Sequence, residues 1–282
     1  MLGTDMHRVV VFTDLDGTLL DSATYSFKAA EEALNFLRSH HIPVVLASSK
    51  TRAEIELIRN KLDLPHSFIV ENGGGLYIPD GLFTIPLRGA TLRDSYQVIE
   101  FGTPYPMLRA ALRAIEQIVE HRLRGFGDMP AEEIAERTGL GLAEAILAKQ
   151  REYDEPFVIE GPATLITKVE RLVTARGLHC TRGGRFCHLT GNTDKGRACQ
   201  FLIDCYRRQY GGGDDLSTVA IGDSLNDLPM LAVVDRPILV EQPDGSYHPD
   251  VSLPNLTRAP GVGPIGWNQA ILDLMSQFYS SN

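Results

Sequence analysis

The chain has 282 residues, 43% of them hydrophobic and 22% charged, which suits a core buried in one large domain or two modest ones and excludes disorder, collagen and coiled coil. Lys and Arg number 27 against 36 Asp and Glu, a formal charge of -9. An acidic surface argues against a sequence-independent grip on nucleic acid or anionic lipid, yet leaves an anionic small molecule open, because a local cationic cluster overrides the mean field.

The first apolar run, Val9 to Phe12, is four residues long with acidic residues on both sides, too short for a secretory h-region. No stretch reaches the roughly 18 apolar residues of a membrane span. Cys180, Cys187, Cys199 and Cys205 lack CxxC spacing and fall in segments that read as strands or helix, so buried thiols in a reducing cytoplasm are expected.

In chain order, Arg8–Asp14 is a β-branched run typical of a strand covered on both faces. A helix over Ser26–His40, a strand Ile42–Ala47, a helix Thr51–Leu62 and a strand Ser67–Val70 follow, an alternation that builds a parallel sheet with helices on its faces. The middle differs. Gly73, Gly74 and Gly75 open an expected hairpin, Leu76–Ile85, around Pro79-Asp80-Gly81, then a strand Tyr96–Phe101 and a long amphipathic helix Pro106–Arg122. Residues 130–153 read as two short helices broken near Gly139 and Gly141. A strand Phe157–Ile159, a helix Ala163–Ala175 and strands Leu178–Thr181 and Phe186–Thr190 complete an α+β insert. The first pattern then resumes with a helix Asp194–Tyr210, a strand Ser217–Ile221, a helix Leu225–Val234, a strand Pro237–Val240 and a last helix Ile265–Phe278. The expected fold is α/β, a parallel-sheet core from residues 1–86 and 191–282 with an α+β cap inserted at 87–190.

Thr13-Asp14-Leu15-Asp16-Gly17-Thr18 falls at the carboxyl end of the first strand, where open α/β sheets place their ligand crevice, and Gly17 lets the backbone turn close to a ligand. Two carboxylates one residue apart have two natural uses: one attacks an electrophile while the other moves protons, or both hold a hard cation. Ser48-Ser49-Lys50 lies past the second strand, Lys195 opens the helix after the insert, and Gly222-Asp223-Ser224-Leu225-Asn226-Asp227 follows a later core strand. In a parallel sheet these positions share one edge, so a hydroxyl, an ammonium and a second acidic cluster converge on the first Asp pair. That is the inventory a metal-assisted phosphoryl transfer requires.

These four segments resemble the motifs of the haloacid dehalogenase (HAD) superfamily, and the position of the insert is similar to its α+β-capped (Cof-like, C2) branch. Glu71-Asn72-Gly73-Gly74, the stretches 138–140 and 148–157, the run Gly183–Gly191 with Asp194-Lys195-Gly196, and Gly263–Asn268 resemble the mannosyl-3-phosphoglycerate phosphatase family. The resemblance implies a HAD-like Rossmannoid core and a cytoplasmic phosphoric monoester hydrolase, monomer or homodimer. Its substrate would be a phosphorylated sugar-glycerate, with no nucleic-acid or membrane partner. Asp14 would be the nucleophile and Asp16 the general acid/base. Mg²⁺ would be held by the Asp14 carboxylate, the Asp16 backbone carbonyl and Asp223, with Asp227 in support. Ser48, Lys195 and Asn226 would bind the phosphoryl group. Lys50, Arg182 and Arg185 are candidates for the substrate's carboxylate, since Arg suits a bidentate grip, and His188 for a substrate hydrogen bond. Ser48-Ser49-Lys50 stands where the branch commonly has Thr-Gly-Arg, a departure that points toward the phosphoglycerate phosphatases. Other readings are a glucosyl-3-phosphoglycerate or broader sugar-phosphate phosphatase, a phosphomannomutase on a related scaffold, and a non-catalytic binding protein.

Overall fold

The structure is a computed structural model that describes residues 8–183, 186–211 and 216–279. The chain forms strands β1 (Arg8–Thr13), β2 (Val44–Ala47), β3 (Phe68–Val70), β4 (Gly75–Pro79), β5 (Thr91–Arg93) and β6 (Tyr96–Glu100). It then leaves this sheet for β7 (Leu123–Gly125), β8 (Asp154–Ile159), β9 (His179–Gly183) and β10 (Phe186–Thr190), and returns for β11 (Leu216–Gly222), β12 (Arg236–Glu241) and β13 (Thr257–Val262). The returning strands join the first ones in a nine-stranded sheet of order β13-β12-β11-β1-β2-β3-β4-β6-β5, and the intervening ones make a four-stranded sheet, β7-β8-β10-β9.

In the large sheet the pairs from β13 to β3 are parallel. Its centre is covered on both faces, as parallel strands require. Val9 and Val11 point to one side, where helices α1 (Glu31–Ser39) and α2 (Arg52–Lys61) supply Leu34, Leu37 and Ile55. Val10 and Phe12 point to the other and meet residues from the returning half of the chain. Because β11, β1, β2 and β3 are neighbours running the same way, Asp223, Asp14, Ser48 and Glu71 all leave the sheet at one edge.

Strand β6, expected inside the insert, and β5, a strand the sequence did not suggest, hydrogen-bond through β4 to the large sheet and extend it with antiparallel pairs. The expected hairpin over Leu76–Ile85 does not form. β4 turns at Pro79-Asp80-Gly81 but takes its partner from β6, and 82–90 crosses as a loop packing Leu82, Phe83 and Leu87 on the core.

The small sheet is antiparallel throughout. Helix α3 (Tyr105–Val119) lays Leu108, Leu112 and Ile115 on one face, against Phe157 and Leu189. Helices α4 (Ala131–Thr138) and α5 (Leu142–Ala148) pack Ile134 and Ala145 near Val158 and Phe186 of the opposite face. α6 (Leu165–Thr174) joins α3 through Val169 and Val173. Side chains alternate across a strand, so His188 and Thr190 share the Phe186 face, and both line a cleft between the two sheets. The large sheet is completed by α7 (Lys195–Gln209), α8 (Leu228–Leu231) and α9 (Pro264–Tyr279), with α7 and α8 on the Val10 face and α9 on the Val9 face. Among the described residues, no helix is long and apolar enough to cross a membrane.

Candidate active site

β1 delivers Asp14 buried to the sheet edge, and the indole N–H of fully buried Trp267 in α9 donates to Thr13 Oγ1 at 3.0 Å, pinning the strand end. Gly17 adopts φ 79°, and a Cβ there would sit 3.0 Å from Asp223 Oδ2, so glycine is what lets the two acidic loops close on each other. Asp194 caps α7 by accepting from the Arg197 N–H at 3.0 Å, which fixes Lys195 in the first turn. Gly196 brings that turn against α8, since a Cβ would lie 2.3 Å from Pro229 O.

The fully buried Lys195 ammonium donates to Asp14 Oδ1 at 2.5 Å and to Asp227 Oδ1 at 2.6 Å. Burial pushes the Asp14 carboxyl well above its ordinary range against the pull of Lys195. Burial also opposes the Lys195 charge, but Asp14 and Asp227 outweigh it and hold the ammonium protonated. Asp223 is raised to about 6, by burial first and by Asp227 second, although Thr18 Oγ1 donates to it at 3.2 Å.

One oxygen each from Asp14, Asp223 and Asp227 lie within 4.8 Å of one another, a hard-donor cluster able to hold a divalent cation. Asp227 is the most committed of them, because its Oδ2 also accepts from the Asp223 and Ser224 N–H groups at 3.1 Å. Its geometry is that of an organiser of the loop and of Lys195. Asp16 stands outside the cluster, its side chain 38% exposed and paired through Oδ2 with Lys50 at 3.0 Å.

The other expected residues divide. Ser48 is buried, its hydroxyl accepting from the Lys50 N–H at 3.2 Å. Asn226 lines the cleft and donates to Asn72 Oδ1 at 3.3 Å. The cleft is about 700 Å³, roofed by Thr181, His188 and Thr190 and floored by Ser49, Asn72 and Lys195, a size that suits a drug-sized or disaccharide-like ligand. His188 Nδ1 shares a hydrogen bond of 2.7 Å with the buried Asp154. Arg182 borders the cleft but pairs with Glu170 at 3.2 Å. Lys50, expected at the substrate's carboxylate, turns instead to Asp16 and over the Tyr25 ring at 5.1 Å. Burial disfavours its charge, yet Asp16 and Glu54 more than compensate. Arg185 lies outside the described residues. Sequence reasoning quoted Glu71 and Asn72 only within a family resemblance, without a role, and did not name Thr193, although all three line the cleft; the run Glu71-Asn72-Gly73 after β3 was the available signal, a polar turn on the same sheet edge.

Residues 11–84 match the model of the haloacid dehalogenase-like hydrolases. A glucosyl-3-phosphoglycerate/mannosyl-3-phosphoglycerate phosphatase of Methanococcoides burtonii is 46% identical over 95% of this chain and 97% of its own. The chain belongs to this phosphatase family. A mannosyl-3-phosphoglycerate phosphatase of Pyrococcus furiosus is 38% identical over 82% of this chain and 90% of its own. The fold has counterparts among solved structures. A HAD phosphatase from Bacteroides thetaiotaomicron superposes with a TM-score of 0.64 at 18% identity, covering 98% of this chain and 96% of that one. Family membership makes the chain a phosphoric monoester hydrolase of the HAD superfamily.

Proposed function

We propose that the protein is a Mg²⁺-dependent phosphatase that hydrolyses mannosyl-3-phosphoglycerate to mannosylglycerate and phosphate, acting in the cytoplasm. The observation that carries this reading is the 2.5 Å contact of Asp14 with Lys195, which lines the floor of a cleft large enough for a sugar-glycerate. The names of the relatives support the substrate, and the dual name of the Methanococcoides protein makes the glucosyl epimer the second reading.

Asp14 attacks phosphorus and forms an aspartyl phosphate, while Asp16 protonates the departing glycerate oxygen. Asp16 then takes a proton from water, which attacks the same phosphorus and frees Asp14. Lys195, Ser48 and Asn226 bind the phosphoryl oxygens, and Lys195 stays in place as charge shifts onto them. Lys50 pairs with Asp16 Oδ2 at 3.0 Å and keeps that side chain in place through the two proton transfers. Asp14, Asp223 and the Asp16 carbonyl, with Asp227 behind them, would hold Mg²⁺, which supplies the positive charge that lets a carboxylate approach a phosphate dianion.

Phosphate release by the purified protein with Mg²⁺ tests the substrate. Mannosyl-3-phosphoglycerate is expected to exceed simple hexose phosphates by about a hundredfold in kcat/KM, and the glucosyl epimer to follow within about tenfold, since one hydroxyl's contacts change. A hundredfold preference for hexose phosphates would overturn the substrate, and a strict need for a bisphosphate activator would point to a mutase.

Metal binding has its own signature. Asp223 in the metal-free fold sits at about 6, above its unfolded value, so the ionised site costs stability above that pH, and acidification toward the unfolded value of about 4 recovers it. Mg²⁺ competes with those protons. Saturating Mg²⁺ is therefore expected to raise Tm by about 5 °C at about pH 7.5 and by much less at about pH 5. An equal shift at both pH values, or the same shift in Asp223→Asn, would contradict the site.

A further inference from the structure

Glu71, Asn72 and Gly73 have φ values of 47°, 55° and 94°, a run of left-handed residues at the end of β3. A Glu side chain disfavours that backbone, so surrounding contacts must enforce it. The contacts are specific. The Glu71 N–H donates to Lys50 O at 3.0 Å and the Asn72 N–H to Ser48 O at 2.9 Å, tying the turn to the loop after β2. Thr193 Oγ1 donates to Gly73 O at 2.6 Å, and a Cβ on Gly73 would lie 2.1 Å from Asp194 O, so the turn is also wedged against the segment that carries Lys195.

From this junction the Glu71 side chain, with no exposed surface, reaches across to the cap. Its Oε1 accepts from the Glu152 N–H and its Oε2 from the Tyr153 N–H, both at 2.8 Å. Burial lifts this carboxyl to about 8 in spite of Arg151 nearby. The segment it grips stands on the core at several further points. Thr51 Oγ1 donates to Leu147 O at 3.0 Å, Arg151 donates to Ser49 O at 3.1 Å, and the Tyr153 ring packs where a Cβ on Gly74 or Gly102 would be. Asp154, the next residue, begins β8 and holds His188 over the cleft.

We infer that Glu71 is a positioning residue: its paired hydrogen bonds to the Glu152 and Tyr153 amides set the register of the cap's substrate wall over the phosphoryl site. It governs which leaving group fits rather than the transfer itself. The inference rests on the proposed sugar-phosphoglycerate substrate, because only a leaving group long enough to reach His188 and Thr190 reports the register.

The test compares Glu71→Gln with the unsubstituted protein on mannosyl-3-phosphoglycerate and on p-nitrophenyl phosphate, which needs no cap contacts. Glutamine keeps the length but offers an NH₂ group to one amide N–H. The expected result is a loss of about a hundredfold in kcat/KM for the sugar substrate, mostly in KM, with p-nitrophenyl phosphate changed less than about threefold. Equal losses on both substrates would place Glu71 in the chemistry, and no loss on either would make the contact inert; both overturn the inference. If the unsubstituted protein itself does not favour the sugar substrate, the substrate reading fails first and separately. Amide hydrogen exchange on the unsubstituted protein covers the case of a variant that does not fold. The Glu152 and Tyr153 amides are expected to exchange as slowly as the core of α3, and exchange at the unprotected rate would overturn the latch.

Discussion

Asp14→Asn is expected to lower kcat on mannosyl-3-phosphoglycerate by at least about 10⁴ while leaving the fold intact. The amide is isosteric but a poor nucleophile, and no neighbouring group can replace it. Asp223 and Asp227 belong to the same cluster, yet Asp227 is bound by Lys195 and two backbone amides, and Asp223 is hydrogen-bonded by Thr18. Stability should not fall, because burial raises the pKa of Asp14 and the substitution removes a charge that the metal-free site holds at a cost. Residual activity within tenfold of the unsubstituted protein, in steady-state phosphate release, would mean that Asp14 is not the attacking group.

Lys195→Met carries the second large effect, and it strikes stability and activity together. Its ammonium is the buried countercharge shared by Asp14 and Asp227, and replacing it by a thioether of similar volume leaves two carboxylates facing each other without a cation between them. Breaking a buried ion pair from one side typically costs about 3–5 kcal/mol, so Tm should fall by roughly 10 °C in metal-free buffer. Activity should fall by at least about 10³ because the phosphoryl oxygens lose their fixed positive partner. The double variant Lys195→Met with Asp227→Asn should recover part of the stability and none of the activity. Thermal melts and kcat/KM on the same samples separate the two effects; a Lys195→Met protein as stable as the parent would show that the buried pair is not what holds this end of α7.

Much of this site was legible because the central strands are short, apolar on both faces and neighbours in a parallel sheet. Arg8–Thr13, Val44–Ala47 and Leu216–Gly222 emerge as buried runs, and each delivers the polar residue that directly follows it to the same edge, so Asp14, Ser48 and Asp223 could be grouped without coordinates. What escaped depended on tertiary partners. β13 contains Pro260 and Gly261 and sits on the sheet's edge, where a weak strand signal is tolerated. β5 and β7 have three residues each, too few for a periodicity to show. The switch from parallel to antiparallel after β3, which brings β5 and β6 into the large sheet, is invisible in composition.

Side-chain direction was the other gap. Lys50 stands on the expected edge but swings to Asp16 and Tyr25, and Arg182 spends its charge on Glu170. The left-handed backbone of Glu71 could not be read from a residue type that usually avoids it; Asn72 and the glycines after it suggested a turn, not a carboxylate aimed at the cap.

The central claim is that Asp14 carries the phosphoryl group between substrate and water. Rapid acid quench of the enzyme turning over ³²P-labelled mannosyl-3-phosphoglycerate with Mg²⁺, followed by peptide mapping, tests it directly. The account predicts a transient acyl phosphate on the peptide containing Asp14, formed before phosphate is released and absent from Asp14→Asn. Label on any other residue, or full turnover with no protein-bound phosphate at any quench time, would contradict it.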